Sequence, residues 1–454
     1  MKSPLSLLRH MLKEAWQNQA KDSDIESSYN GEPEVIQTLM SLKKTLPDIL
    51  HFVWIGDLQA LNLEYINIWQ QVNNDKIINL WLDEDCMLCH RFHILLAQHA
   101  KVVAPQDSNQ KLITLQNEAF HYIYPRLDKN HTFNVLAMQF LESINVELPQ
   151  YSQTASTILA KLTDRINLKS ISHVFSEKFA ELKKYYYYEI IIRGNFACAS
   201  DIARLLILYH YGGIYIDVDT LPAIDSCFAK TKMVLRKYIT SHNEYITAAM
   251  AEATLQKLSP GHECEINIST YLNKPSDIPL PIRHIINCSI REDVKKLSIT
   301  DLPALGKVLC YKNLILQSAV PSLSGVYFNN VIGAFPHSKT LSIVLRTIKK
   351  RYRFLEKNNA IFTCIRAHTT HHYLARLLTY RYEAIASTGE VTLALTGPGV
   401  IVEVLLGLGY QLLKLNEDIP PYFLSIFMQN DLYGIAFFGH TLHTPEGLVS
   451  TWMK

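Results

Sequence analysis

The chain has 454 residues with 44 basic and 42 acidic side chains, a formal balance of +2, so no strong field draws it toward nucleic acid or an anionic membrane. With 48% apolar and 19% charged residues and no low-complexity bias, the composition is that of a globular protein with a large core, which excludes extensive disorder. At roughly 150 residues per domain the length suits about three structural units, or one large α/β domain with insertions.

Leu5, Leu8, Leu12 and Trp16 recur at three- and four-residue spacing behind Ser3-Pro4. That pattern predicts a capped amphipathic helix and not the long apolar core of a cleaved leader. Its apolar face has two expected uses, packing on the body of the protein or a peripheral contact with a membrane or partner. Residues 1–45 read as this helical segment and a polar linker that includes Lys21 to Glu34. No window of about 18 residues reads as apolar and charge-free enough to span a bilayer.

The run Ile49-Leu50-His51-Phe52-Val53-Trp54-Ile55-Gly56 predicts a buried strand, residues 64–71 a helix, and Ile77 to Leu82 a second strand, which together make a βαβ unit and begin a parallel sheet. From about 86 to 190 the pattern is mainly helical with few strand candidates, and is read as a substrate-facing helical insertion. Within it, Tyr185 to Tyr188 read as one helix turn with half its rings in the core. Cys86 and Cys89 form a C-x-x-C beside His90 and His93, but no second pair completes a zinc site. The eight cysteines, mostly isolated within apolar stretches, read as reduced thiols.

Behind the cap-like Ser200-Asp201, an apolar helix runs to Gly212-Gly213, and Ile214 to Asp219 follows as a strand. Farther on, Leu341 to Leu355 predicts a basic amphipathic helix with Arg346, Lys349, Lys350 and Arg351 on a solvated face. Thr396-Gly397-Pro398-Gly399 breaks the chain before a helix from Val400 to Leu408, and Tyr433 to Phe438 is strand-like.

An acidic-x-acidic triplet alone is weak, because 42 acidic residues in 454 positions give roughly four by chance. Asp217 and Asp219, however, fall at the carboxyl end of a buried strand, where α/β sheets bind ligands. Two unpaired carboxylates there would repel, and a hard divalent cation, Mg²⁺ or Mn²⁺, bridging to a phosphate would relieve that. The preceding helix rises about 16 Å and the returning strand retraces about the same, which brings Asp201 and Arg204 beside the two aspartates. One cation, three carboxylates and a helix N-terminus then meet at one corner, suited to a sugar linked to a diphosphate.

Asn195-Phe196-Ala197-Cys198-Ala199-Ser200-Asp201-Ile202-Ala203-Arg204 followed by Gly212-Gly213-Ile214-Tyr215-Ile216-Asp217-Val218-Asp219 resembles the D-x-D core of the glycosyltransferase domain of large clostridial glucosylating toxins and related bacterial effectors. Leu50 to Gly56 with Tyr65 to Trp69, Asn329-Asn330 followed by Arg351-Tyr352, Thr396-Gly397-Pro398 and Ser450-Thr451-Trp452 fall in that family's order.

The resemblance implies an α/β GT-A fold, with a mostly parallel Rossmann-like sheet over residues 46–454, the insertion at 86–190 and a C-terminal closing loop at 439–454. It implies a UDP-sugar donor with Mn²⁺ or Mg²⁺, and retaining transfer to a hydroxyl of a host protein, commonly a small GTPase. It also implies secretion by a bacterium and action in the host cytosol as an effector or toxin. By position, Trp54 would stack on uracil, Asp201 and Arg204 hold the sugar, and Tyr215 line the nucleotide. Asp217 would meet ribose, sugar or a metal-bound water, Asp219 ligate the metal, and Asn329 contact the sugar. Ser450 and Trp452 would contact metal and β-phosphate. The family's metal-binding glutamate stands three residues before the loop serine, whereas Glu446 stands four before Ser450, which leaves Glu446, His440, His443 or water for that place.

Bulky Phe328 and Asn330 beside Asn329 favour UDP-glucose over UDP-N-acetylglucosamine. Two alternatives stand beside this reading. Asp217-Val218-Asp219-Thr220 also resembles the D-x-D-x-T of haloacid-dehalogenase phosphatases, and the altered glutamate spacing admits a catalytically inactive nucleotide-sugar-binding module.

Overall fold

Apolar residues on both faces of a strand demand cover on both sides, and the central strands of this chain have it. The computed structural model describes residues 3–19, 37–38, 41–128, 130–147, 165–239, 243–259, 266–274, 278–319, 323–367, 370–386, 388–429 and 438–439. A two-residue ribbon pairs β1 (Lys44–Thr45) with β6 (Leu309–Cys310). The main sheet contains β2 (Ile49–Trp54), β3 (Ile77–Leu82), β4 (Ile166–Ser170), β5 (Gly213–Ile216), β7 (Ile315–Ala319), β8 (Tyr327–Ala334) and β9 (Phe438–Gly439). Its order is β4-β3-β2-β5-β8-β7-β9. The pairs among β4, β3, β2 and β5 are parallel, β8 is antiparallel to both its neighbours, and β9 is parallel to β7. The expected mostly parallel sheet is therefore present, with one reversed strand beside β5.

Leu50 and Phe52 of β2 and Ile78, Leu80 and Leu82 of β3 share one apolar cluster with Ile214 and Ile216. Val53, Trp81 and Tyr215 face the other way, into a larger cluster with the Phe196–Tyr211, Lys339–Lys357 and Pro398–Leu413 helices. A third cluster joins Tyr65 and Ile68 to the Glu244–Leu258 and Leu280–Lys295 helices. The N-terminal Pro4–Gln19 helix buries Leu8, Met11 and Leu12 in the largest cluster, and Trp16 packs 4.9 Å from Phe423.

Several local expectations need correction. The stretch 86–190 contributes an edge strand of the sheet, β4, whose single buried residue is Ile166. All four rings of Tyr185 to Tyr188 are buried, because the Ala180–Tyr187 helix widens into a π-helical turn, Tyr188–Arg193. Arg351 is enclosed and pairs with Glu403, so it does not lie on a solvated face. The helical stretch Glu390–Leu413 is long and apolar enough to cross a bilayer by length and composition, contrary to the sequence reading. Half of that window is buried, and Val400, Ile401 and Leu405 belong to the main core. Cys86 and Cys89 are buried thiols whose burial raises their pKa.

Candidate donor-sugar site

The helix that carries Asp201 and Arg204 starts at Phe196, one turn before the expected Ser200-Asp201 cap. Asn195 is the cap: its side-chain oxygen accepts the Cys198 N–H at 2.9 Å, and its amide donates to Thr392 Oγ1 at 2.8 Å. Asp201 and Arg204 therefore lie in the second and third turns. The helix start is roughly 8 Å from Asp201 along the axis, too far for its dipole to form part of this corner.

The return path is fixed by two glycines. Gly212 and Gly213 have φ of 65° and 90°, and a Cβ at Gly213 would come within 2.5 Å of the Ile49 carbonyl oxygen. β5 then ends at Ile216, so Asp217 and Asp219 occupy the turn just past the strand, which Thr220 N–H closes onto the Asp217 carbonyl at 3.1 Å. Trp69 is fully buried and its indole N–H donates to the Thr220 carbonyl at 2.7 Å, anchoring that turn to the Glu64–Val72 helix.

Arg204 is the hub. Its guanidinium lies 2.9 Å from Asp217 Oδ1 and 3.5 Å from Asp201 Oδ1, and it donates to the Asn329 carbonyl and to Ser200 Oγ, both at 2.9 Å. It also covers the Tyr215 ring at 4.3 Å, while the Tyr215 hydroxyl donates to Asp217 Oδ1 at 2.5 Å. Asp201 accepts from Asn329 Nδ2 at 2.6 Å and from Thr396 Oγ1 at 2.9 Å. Burial drives the Asp201 carboxyl up to about 6, against the opposing pull of Arg204, Thr396 and Asn329. Burial also works against the Arg204 charge, yet Asp217, Tyr215 and Asp201 hold its pKa above the ordinary arginine value.

The sequence argument for a cation rested on two mutually repelling carboxylates. That premise is corrected, because Arg204 and Tyr215 already pair Asp217. A divalent ion of the Mg²⁺ type is usually held by one or two carboxylates plus substrate phosphates. Half-buried Asp219 and the solvent-facing part of Asp217 fit that pattern. Among the described residues no set of three or more His, Cys, Asp or Glu side chains is placed to hold a metal. Glu446, Ser450, Trp452, His440 and His443 lie outside the described residues.

Trp54 ends β2, half-buried, with its indole N–H on the Asp57 carbonyl at 3.0 Å. Asn330 turns its side chain to Ser318 Oγ at 2.5 Å, and Phe328 is partly exposed. Arg351 and Tyr352 sit in the core, the Tyr352 hydroxyl donating to Glu189 at 2.6 Å. Sequence reasoning gave no role to Thr396 beyond a landmark and none to Ser318. A separate cavity of about 400 Å³ at the carboxyl ends of β3 and β4, lined by Asp83, Asp85 and Tyr186 among others, shares no residue with this corner.

Residues 48–257 match the family model for the TcdA/TcdB catalytic glycosyltransferase domain. Toxin A of Clostridium novyi is 26% identical over 332 residues, which cover 67% of this chain and 14% of that toxin, so the chain spans about a seventh of its length. The crystal structure of the catalytic domain of alpha-toxin from Clostridium novyi superposes with a TM-score of 0.65 at 19% identity, covering 100% of this chain and 90% of that domain. The UDP-bound glycosyltransferase domain of the YGT toxin gives 0.56 at 16% identity, covering 90% of this chain and 82% of that domain. These structures show the fold to be that of the GT-A glycosyltransferases. The chain is a homologue of the glycosyltransferase catalytic domains of clostridial toxins, with residues 48–257 carrying the family match.

Proposed function

We propose that the chain transfers a sugar from a UDP-sugar to a hydroxyl of a host protein, with retention of configuration and with Mn²⁺ or Mg²⁺. The observation that carries this reading is the Arg204 hub, a fixed guanidinium among Asp201, Asp217 and Asn329 at the carboxyl end of β5. Arginine has five N–H donors in a rigid fork. The second N–H on the Ser200-bonded nitrogen makes no hydrogen bond among the described residues, which leaves it for a diphosphate or sugar oxygen, while the enclosed Nε–H faces Asp201 at 3.5 Å. In this reading Asp201 and Asn329 orient the sugar hydroxyls, and Arg204 stabilises the charge that develops on the departing UDP. Asp219 and Asp217 would hold the divalent ion, which supplies charge neutralisation at the diphosphate when bound. Trp54 is assigned the uracil face, and Glu446, Ser450 and Trp452 the closing side.

The domain assignment proposed is a GT-A domain over 46–454 preceded by the N-terminal segment. That segment is given no membrane role here, since Leu8, Met11 and Leu12 are already used in the core. UDP-glucose is favoured as donor, now on Phe328 alone because the Asn330 amide turns to Ser318. The phosphatase alternative is not carried forward, since the family model matched by residues 48–257 is that of a glycosyltransferase catalytic domain. Action as a bacterial toxin or effector in the host cytosol, with a small GTPase as acceptor, is proposed on the family resemblance of the sequence motifs.

The test is incubation with Mn²⁺ and labelled UDP-glucose or UDP-N-acetylglucosamine in eukaryotic lysate, followed by mass spectrometry. Hexose on one protein, abolished by Asp219→Ala and by chelation, is expected. Preferential use of the acetylated donor would overturn the glucose assignment, and no turnover of either donor would leave only the inactive binding module.

A further inference from the structure

One step along β7, from Gln317 to Ser318, moves the partner on β8 by four residues, from Ile332 to Phe328. Asn329, Asn330 and Val331 therefore have no partner on β7. On the other side, β5 stays in register through Ile216 and Val331, and the Asp217 N–H then donates to the Asn330 carbonyl at 2.8 Å. Bulges re-aim side chains beside functional sites. This one delivers the Asn329 amide to Asp201 and the Asn329 carbonyl to Arg204.

Ser318 stands at its base, 3% exposed, with Oγ 2.5 Å from Asn330 Oδ1 and 3.0 Å from the Phe328 carbonyl oxygen. Its single hydroxyl proton is shared between the residue before Asn329 and the residue after it. A buried hydroxyl contributes only when it is bonded, and here its partners are the two ends of the irregular segment.

We propose that Ser318 is a positioning residue for the donor corner, clasping Phe328 and Asn330 so that Asn329 stays on Asp201 and Arg204 while the Asn330 carbonyl holds the Asp217 turn. The inference rests on the donor-site reading above and deepens it. Ser318 acts through Asn329 and Asn330 and touches no reacting atom.

The experiment compares wild type, Ser318→Ala, Asn330→Ala and the double variant in the full chain. Amide hydrogen exchange is followed at Asp217, and UDP-glucose turnover is measured with Mn²⁺. Exchange at Asp217 is expected to quicken about tenfold in Ser318→Ala while exchange in the β2–β3 core is unchanged, and kcat to fall about tenfold with KM moved less. The double variant is expected to be no worse than the more affected single, since both changes release the same clasp. If Ser318→Ala does not fold, Asn330→Ala carries the same exchange measurement. Unchanged exchange at Asp217, or effects of the two substitutions that simply add, would overturn the role. The exchange readout needs no donor, so a wild type that turns over no UDP-sugar refutes the proposed activity without obscuring the result for Ser318.

Discussion

Among the described residues, two places set one arginine between two carboxylates, and they differ in what else is there. Behind the sheet, Arg193 lies 2.6 Å from Glu383 and 3.3 Å from Glu189, all three side chains 3% exposed or less. Tyr352 and Tyr380 hydroxyls donate to Glu189 Oε1 at 2.6 and 2.8 Å, and Thr392 Oγ1 donates to Glu383 at 2.6 Å. At the donor corner, Arg204 lies between Asp201 and Asp217, but the Asp217 side chain is 29% exposed. A triad sealed from solvent on every side can only brace the fold, whereas a triad with one open side can still be reached by a ligand. The two are linked, because Thr392 of the sealed set lies within the short Glu390–Leu395 helix and Thr396, which holds Asp201, caps its C-terminal end.

The largest effect expected is on the sealed side. Arg193→Met strands two buried carboxylates and should cost about 3–5 kcal/mol of stability in denaturant unfolding, while UDP affinity of the folded fraction stays near wild type. Arg204→Lys should do the reverse, keeping the charge but losing the fork, with UDP-sugar turnover down about 100-fold and a smaller stability loss. Equal stability losses in the two variants would erase the distinction between the regions.

Acid sharpens the comparison further. Because the Asp201 pKa is raised to about 6, turnover that needs its carboxylate should fall about tenfold for each unit below that value. Between about pH 4 and 6 the native state keeps a proton that the unfolded chain has released. This group therefore lowers stability as pH rises through that window, and Asp201→Asn should flatten the slope in pH-dependent melting. His51 works in the opposite sense: burial lowers it to about 4, so stability falls as pH drops from about 6.5 toward 4. The smallest effect expected is from Thr396→Val, which removes one bond to Asp201 and should reduce turnover about fivefold, roughly 1 kcal/mol.

Much of the frame was legible in sequence because buried parallel strands are written as apolar runs, as at Ile49–Trp54 and Ile77–Leu82. The strand Ile166–Ser170 was not, since an edge position with only Ile166 buried leaves no such run. Asp201, Arg204 and Asp217 could be placed together because helix rise and strand rise are fixed lengths. The Asn195 cap was missed in favour of Ser200-Asp201, as both look alike before an apolar run. Ser318 carried no signal, because its importance comes from a register jump with a strand that follows it, and composition does not encode pairing.

The Gly212-Gly213 elbow also sets how this chain can change. With Pro336 against the first glycine and the Ile49 carbonyl against the second, the link has no slack to absorb an added residue. One insertion between Tyr211 and Ile214 would exchange the two sides of β5, turning Tyr215 into the cluster of Leu50 and Ile216 and leaving Arg204 without the ring beneath it. Sequence drift can therefore reshape the helices around this corner, but the elbow admits neither an insertion nor a side chain at either glycine, so its residue count and its two glycines are fixed together.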